Sequence, residues 1–556
     1  MTQDQSRSDG RIATRGNLLT PAYLWFVGQK KGRAIALAAV LGAIANLAFP
    51  PFGVWPAMAI GLSGLLWLLD GASFQERVRT AVFARVFSFG FVYFLIGLHW
   101  VASAFLVDPE AHLALVWLPL IVLPAGLSLI LAVVMSIGFR FWSDGPGRLV
   151  TFTLALVAAE WIRGALFGLG GLPWNLPGMV WEAGGAISQT ASLWGIYGLS
   201  LLTVLALVSP AALADARPQG TTAMRAAPVL VAAIVFGGLW GWGSGRLAEG
   251  APGAPGPLVR LVEVGVPQSW KYQPGVAEQM VRRFRDLTGP DDEAAPDIVI
   301  WPEGALPYYL FEWPDALDAV TADLGDRSLI LGLVRREGKK DDEQRAYNSL
   351  AVLNADSSMR GPLALYDKHM LVPFGEFTPF RSLAAAVGVS TLQNLAANGF
   401  HAGPRPVSVR APGLPPLGPL VCYEAIFPGL SPTGADRPAW LVNISNDSWF
   451  GGGAGPHQHA SQARYRSIEE GLPMARVAAG GHTGMIDAFG RWTKRGLPAD
   501  AVLYGEDPEG WRSSVVDAPI PSALGPTPYS RWRDGLFAGM WFFLLFIKAF
   551  FLRPRR

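Results

Sequence analysis

Leu113-Ala-Leu-Val-Trp-Leu-Pro-Leu-Ile-Val-Leu-Pro-Ala-Gly-Leu-Ser-Leu-Ile-Leu-Ala-Val-Val-Met-Ser-Ile-Gly138 contains no charged side chain. A helix rises about 1.5 Å per residue, so about 20 apolar residues cross a bilayer core of about 30 Å, and this run is long enough to span. Seven more apolar runs, near 33–49, 53–70, 81–105, 148–164, 190–212, 226–243 and 535–552, bring the expected number of spans to about eight. One such run could be a buried core helix; eight point to a multi-pass membrane bundle. Pro50-Pro51-Phe52 separates the first two runs and suits a tight helical hairpin, because proline cannot continue a helix.

The rest of the chain is different in kind. Hydrophobic residues make up 51% and charged residues 16% of the 556, but the apolar excess is confined to the runs above, and 244–534 has the mixed charge of a globular segment. The expected organisation is a cytoplasmic tail over 1–32, a bundle of seven helices over 33–243, an extracytoplasmic catalytic domain over 244–530, and a last membrane helix with a basic tail over 531–556. The first apolar run ends Ala48-Phe49-Pro50-Pro51 and not in a small-x-small site, so it reads as an uncleaved span. A net charge of +2, without a basic stripe, excludes nucleic acid as the expected partner. Cys422 is the only cysteine, so no intrachain disulfide can form, and the thiol is either inert core or a reagent.

Lys and Arg collect in alternate loops. The N-terminal tail holds Arg7, Arg11, Arg15, Lys30, Lys31 and Arg33; Arg77 and Arg79, Arg140 and Arg148, and Arg217 and Arg225 mark the 2–3, 4–5 and 6–7 loops. The intervening loops are almost bare. Cytoplasmic loops retain basic residues, so both termini are expected inside and 244–534 outside, which in a Gram-negative cell is the periplasm. Outside there is no ATP, so group transfer needs a donor that is already activated or esterified.

The fifth run ends Glu160-Trp-Ile-Arg163 and is followed by a Gly/Pro/Trp loop through Pro173-Trp174-Asn175. Two readings of Glu160 and Arg163 stand side by side: a pair that fixes helix packing, or functional groups at membrane depth. The loop is expected outside, beside the lipid interface.

Within 244–534, apolar runs at 258–266, 298–301, 329–334, 349–353, 417–423 and 441–444 read as strands buried on both faces of an α/β domain, with helices over 276–288 and 457–472. Glu303, Lys368 and Cys422 stand at the ends of such runs or in the loops after them, where α/β sheets assemble sites. Singly, each has a plain explanation: a loop carboxylate, a surface lysine, a small buried hydrophobe. His457-Gln-His459 has HxH spacing but no further ligand nearby, so a structural role outweighs metal binding and no metal is expected. The glycines of 451–455 are read as letting a loop pass close to the site. Neither a GxSxG elbow nor a Walker A loop is present.

Trp301-Pro-Glu303, Asp367-Lys368-His369 with Val372-Pro-Phe-Gly-Glu376, Cys422-Tyr423-Glu424 and Asn443-Ile-Ser-Asn-Asp447-Ser-Trp449-Phe-Gly451 together resemble the nitrilase superfamily, and within it the apolipoprotein N-acyltransferase family. The resemblance covers nearly the whole chain. It implies a four-layer αββα sandwich, with Glu303 as general base, Lys368 as oxyanion stabiliser and Cys422 as nucleophile. It also implies supporting roles for Glu376, Tyr423, Glu424 and Trp174. Tyr272, in Pro267-Gln-Ser-Trp270-Lys271-Tyr272, stands where the family usually has Trp. The implied reaction takes an acyl chain from a phospholipid, with phosphatidylethanolamine the expected donor, and passes it by a Cys thioester to the amine of a diacylglyceryl-cysteine that begins an apolipoprotein. No cofactor is implied, and the implied location is the cell inner membrane. The chemistry is coherent in itself, since a thiol becomes competent when a base removes its proton or a cation lowers its pKa. A membrane-tethered amidase, with water as acceptor, and a transporter or scaffold with a binding domain are the alternatives.

Overall fold

The computed structural model describes residues 19–166, 171–214, 222–292, 295–338, 344–377, 399–496 and 511–551. All eight apolar runs are helical. Five helices, Trp55–Ala72, Val78–Leu106, Leu113–Phe141, Ile187–Ala214 and Ala223–Glu249, are long and apolar enough to cross a membrane. The other three differ for visible reasons: Lys31–Asn46 and Gly535–Phe551 are shorter, and Gly147–Ala165 carries Arg148, Glu160 and Arg163. A further helix, Thr20–Val27, lies inside the expected tail and sets Tyr23 and Phe26 against Trp67, with ring centroids 6.2 and 5.6 Å apart. Its eight residues are too few to register as a span.

Two ion pairs lie inside the bundle. Arg148 Nε donates to Asp70 at 3.0 Å, and Trp142 Nε1 donates to the other carboxylate oxygen at 2.9 Å. Arg163 pairs with Glu160 and also donates to the carbonyls of Leu172 and Trp174, the latter at 2.9 Å. The pair therefore props up the Trp174 loop, which is more than helix packing alone.

The α/β part contains β1 (Leu258–Gly265), β2 (Ile298–Ile300), β3 (Ser328–Glu337), β4 (Arg345–Leu353), β5 (Ala364–Asp367), β6 (Leu417–Val421), β7 (Trp440–Asn446), β8 (Met474–Ala479), β9 (Gly484–Ile486), β10 (Trp492–Arg495) and β11 (Arg512–Pro519). One sheet has the order β11-β1-β2-β3-β4-β5 and the other β10-β9-β8-β7-β6. Strand alternation assigns each side chain to a layer. On β3, Ile330 joins the core between the sheets, while Leu329 and Leu331 face the outer layer, with Met280 and Phe284 of the Val276–Thr288 helix. On β7, Val442 points to the same central core and Leu441 packs outward with Ala463 of the Ala454–Glu470 helix. These layers form an αββα sandwich.

Bundle and sandwich share one core. Met370, Tyr423, Ile426, Phe427, Tyr465 and Ile468 are buried in the same apolar cluster as the membrane helices. Polar contacts continue the seam: Tyr465 OH donates to the Trp181 carbonyl at 2.7 Å, Gln189 Nε2 to the Phe489 carbonyl at 2.9 Å, and the Ile196 N–H to Glu469 at 2.8 Å. The last contact caps the kink at Gly195, where the helix leaves α geometry with φ +69°.

Candidate active site

Strands of both sheets, β2 from the middle of one and β5 and β6 from the edges, end on one buried point. β2 runs into Trp301-Pro302-Glu303, and Gly332 of β3 lets that loop lie flat, since a Cβ there would come within 2.4 Å of Glu303 Cα. β5 ends at Asp367 and delivers Lys368, and β6 ends at Val421 and delivers Cys422. The sequence reading carries the last strand through Tyr423. The structure ends it at Val421, because Cys422 takes φ +50°, outside extended geometry, and opens a 3₁₀ turn over Cys422–Ile426.

Lys368 is 1% exposed and donates to Glu376 at 3.0 Å and Glu303 at 3.4 Å. Burial works against its charge, but Glu376 and Glu303 outweigh that and raise its pKa, so the ammonium is a fixed cation. Glu303 is oriented from both sides: Asn348 Nδ2 donates to one oxygen at 2.8 Å and the Asn446 N–H to the other at 2.9 Å. Asn348 also donates to Glu376 at 2.8 Å, whose second oxygen accepts from the Val372 N–H at 2.8 Å. Lys271 is buried near Glu303 and donates to the Gly304 carbonyl; burial lowers its amine to about 8, which Glu303 partly offsets.

Burial, then Glu303, pushes the Cys422 thiol up, and the opposing pull of Lys368 does not reverse this. At rest the sulfur therefore carries its proton, and nucleophilic attack requires a base to take it. Of the two ways to make a thiol competent, the cation Lys368 gives only a partial offset here, which leaves the base as the decisive one.

Of the other expected residues, Glu424 is fully buried and braces the site. Its carboxylate accepts from Tyr366 OH at 2.6 Å, the His369 N–H at 2.8 Å and the Val421 N–H at 2.7 Å, tying the Lys368 strand to the Cys422 turn. Tyr423 OH donates to the Gly171 carbonyl of the bundle loop at 2.8 Å. Tyr272 is 69% exposed and is linked to Glu303 only through Gln268 and Asn446. Trp174 is not at an open lipid interface: it is 2% exposed, with its ring centroid 4.7 Å from that of Trp100 and 5.7 Å from that of His459, both tilted, and Nε1 donating to Gln458 at 2.7 Å. It is buried because the sandwich adds a second ring partner, His459, and the acceptor Gln458 to the bundle's Trp100. Gly455 permits this approach, as a Cβ there would lie 3.0 Å from the Trp100 ring.

Sequence reasoning missed Asn348, which has no motif around it, and gave His459 a structural role without its buried partners, which come from the turns after β6 and β7. Among the described residues no cluster of three or more His, Cys, Asp or Glu could hold a metal.

Residues 41–209 match the family described as "Apolipoprotein N-acyltransferase N-terminal domain", and residues 277–505 match "Carbon-nitrogen hydrolase". Curated relatives named apolipoprotein N-acyltransferase include a Rhodopseudomonas palustris protein, 35% identical over 89% of this chain and 91% of that protein. One from Caulobacter vibrioides is 37% identical over 91% and 92%, and one from Sinorhizobium fredii 33% identical over 97% and 98%.

Proposed function

The chain belongs to the apolipoprotein N-acyltransferase family, and we propose that it moves an acyl chain from a phospholipid, through a thioester on Cys422, to the N-terminal amine of a diacylglyceryl-cysteine on an apolipoprotein. The observation that carries this reading is the meeting of Cys422, Glu303 and Lys368 at one buried point, with the neighbouring Tyr423 bonded to the membrane bundle.

Glu303 takes the thiol proton as Sγ attacks the ester carbonyl, and the developing oxyanion is held by the Lys368 ammonium. The ester C–O bond then breaks, and the leaving alcohol of the lysophospholipid takes the proton from Glu303. In the second half the amine attacks the thioester, Glu303 accepts its proton, and the C–S bond breaks to give the amide and, with that proton returned, the thiol. An α-amine with a pKa near 7.7–8.0 is partly neutral at ordinary pH, so it can serve as the nucleophile. Phosphatidylethanolamine is the proposed donor.

Glu303→Gln is expected to slow formation of the acyl adduct by about 10²- to 10⁴-fold, the range for a lost general base. Lys368→Met should slow it by about 10²- to 10³-fold, the range for a lost oxyanion donor. Intact-mass spectrometry after incubation with phosphatidylethanolamine micelles reads both. Normal accumulation of adduct in either variant would move that residue's role to the second half.

The alternating Lys and Arg loops support a sandwich outside the cytoplasm, in the periplasm, on a chain anchored in the inner membrane. Met359 is 80% exposed, far more than Glu303, Lys368 or Cys422, and suits a reporter. Met359→Cys in a Cys422→Ser background should react with an impermeant maleimide in intact spheroplasts. Labelling that appears only after lysis would reverse the topology.

A further inference from the structure

The Ala454–Glu470 helix passes behind the turn that carries Cys422, and its His459 is 0% exposed. His459 Nε2 lies 3.1 Å from the Cys422 carbonyl oxygen and Nδ1 lies 2.8 Å from Asp447 Oδ1. Both partners are acceptors, so each ring nitrogen donates. Arg476 Nη2 is farther from Nδ1, at 3.3 Å, and makes its own shorter bond of 2.6 Å to Asp447 Oδ2. Burial works against the Asp447 charge, but Arg476 and His459 hold its carboxyl below the usual range, so the acceptor stays ionised. Ser445 Oγ donates to the same carboxylate at 2.6 Å. One chain of bonds thus runs from Arg476 through Asp447 and His459 to the nucleophile's peptide.

Cys422 needs such a hold. Its φ of +50° is a left-handed conformation that a residue bearing Cβ keeps only where its surroundings impose it. The peptide unit is planar, so the Cys422 carbonyl and the Tyr423 N–H turn together and point in opposite directions. Anchoring the oxygen fixes the N–H and limits how far Sγ can swing.

We propose that His459 is a positioning residue for acyl transfer, holding the Cys422 peptide through Nε2–H while Asp447 and the packed Trp174 ring of the bundle hold its ring. The inference rests on Cys422 being the acylated residue. Because Trp174 belongs to the membrane part, the nucleophile's geometry is set partly from the bundle side. Phe450 closes the other edge of the imidazole at 5.5 Å.

The test is single-turnover acylation of the full-length protein by phosphatidylethanolamine micelles, read by intact mass, with folding followed by thermal melting. His459→Leu should acylate about 10²-fold more slowly, as misplaced reacting atoms do, with the half-saturating phospholipid concentration changed by less than about threefold. His459→Gln, whose amide reaches the Nε2 position, should recover to within about tenfold of wild type, whereas His459→Asn, whose amide reaches only the Nδ1 position, should stay as slow as the Leu variant. A space-filling role would not separate Gln from Asn. The inference is overturned if Asn matches Gln, if Leu acylates within about twofold of wild type, or if all three variants fail to fold. Cys422→Ala is the control that separates the two claims. An adduct on that variant sinks the nucleophile assignment, whereas a silent Cys422→Ala beside a normal His459→Leu sinks only the positioning role.

Discussion

Cys422→Ala is expected to abolish transfer, and the wild-type protein incubated with phospholipid should carry one acyl group that hydroxylamine removes. The chain has a single cysteine, so a mass increase of one acyl group that vanishes in the variant identifies its position without peptide mapping. Alanine keeps a Cβ at φ +50°, so the backbone conformation is no more strained than with cysteine, and the loss reports chemistry. Hydroxylamine sensitivity adds a second criterion, because thioesters yield to it far faster than oxygen esters do. Cys422→Ser should also be inactive: burial and Glu303 already push the thiol up, and a hydroxyl is a much weaker acid in the same place. Full transfer by Cys422→Ala would end the thioester reading, and a stable adduct resistant to hydroxylamine would place the acyl group on another side chain.

Glu303, Lys368 and Cys422 were singled out by the words around them, Trp301-Pro-Glu303, Asp367-Lys368-His369 and Cys422-Tyr423-Glu424, and by the family those words resemble, because position near a strand end left each with a plain explanation. The apolar helices were legible because their length against the bilayer is a one-dimensional property. β8 to β11 were harder to read. Met474–Ala479 is buried throughout but short, and Trp492–Arg495 carries charge and alternates poorly, so neither stands out from helix or loop. Asn348 and the chain from His459 through Asp447 to Arg476 were invisible for a different reason. Their partners sit on separate elements, 45 residues apart for Asn348 and Glu303, and only the packed fold reveals that the bonds exist. The loop at Trp174 was read as lying outside, beside the lipid interface, and the structure buries its tryptophan against His459 of the sandwich, a contact between elements far apart in sequence.

A soluble fragment of residues 246–530 is expected not to fold into a stable domain. Met370, Tyr423, Ile426, Phe427, Tyr465 and Ile468 are buried in one cluster with membrane helices, and removal of the bundle would return all six to water. At roughly 1.5–3 kcal/mol per side chain the loss is about 9–18 kcal/mol. A typical domain is stable by only about 5–15 kcal/mol, so the loss is comparable to the whole. The seam also contains bonds that the fragment cannot replace internally. Tyr465 OH loses the Trp181 carbonyl, and Glu469, whose carboxyl burial raises to about 7, loses the Ile196 N–H that favours its charge. The sandwich's inner core between the sheets would remain, so the fragment should be compact but poorly packed, with near-UV circular dichroism lost and dye-accessible apolar surface gained. Placing the fragment in detergent micelles should restore little, because micelles cover the apolar face without supplying the Trp174 loop that packs on His459. A monomeric fragment with a cooperative melt near that of the full protein would show that the bundle is a tether. The expected opposite result makes the membrane helices part of what holds Cys422 in place.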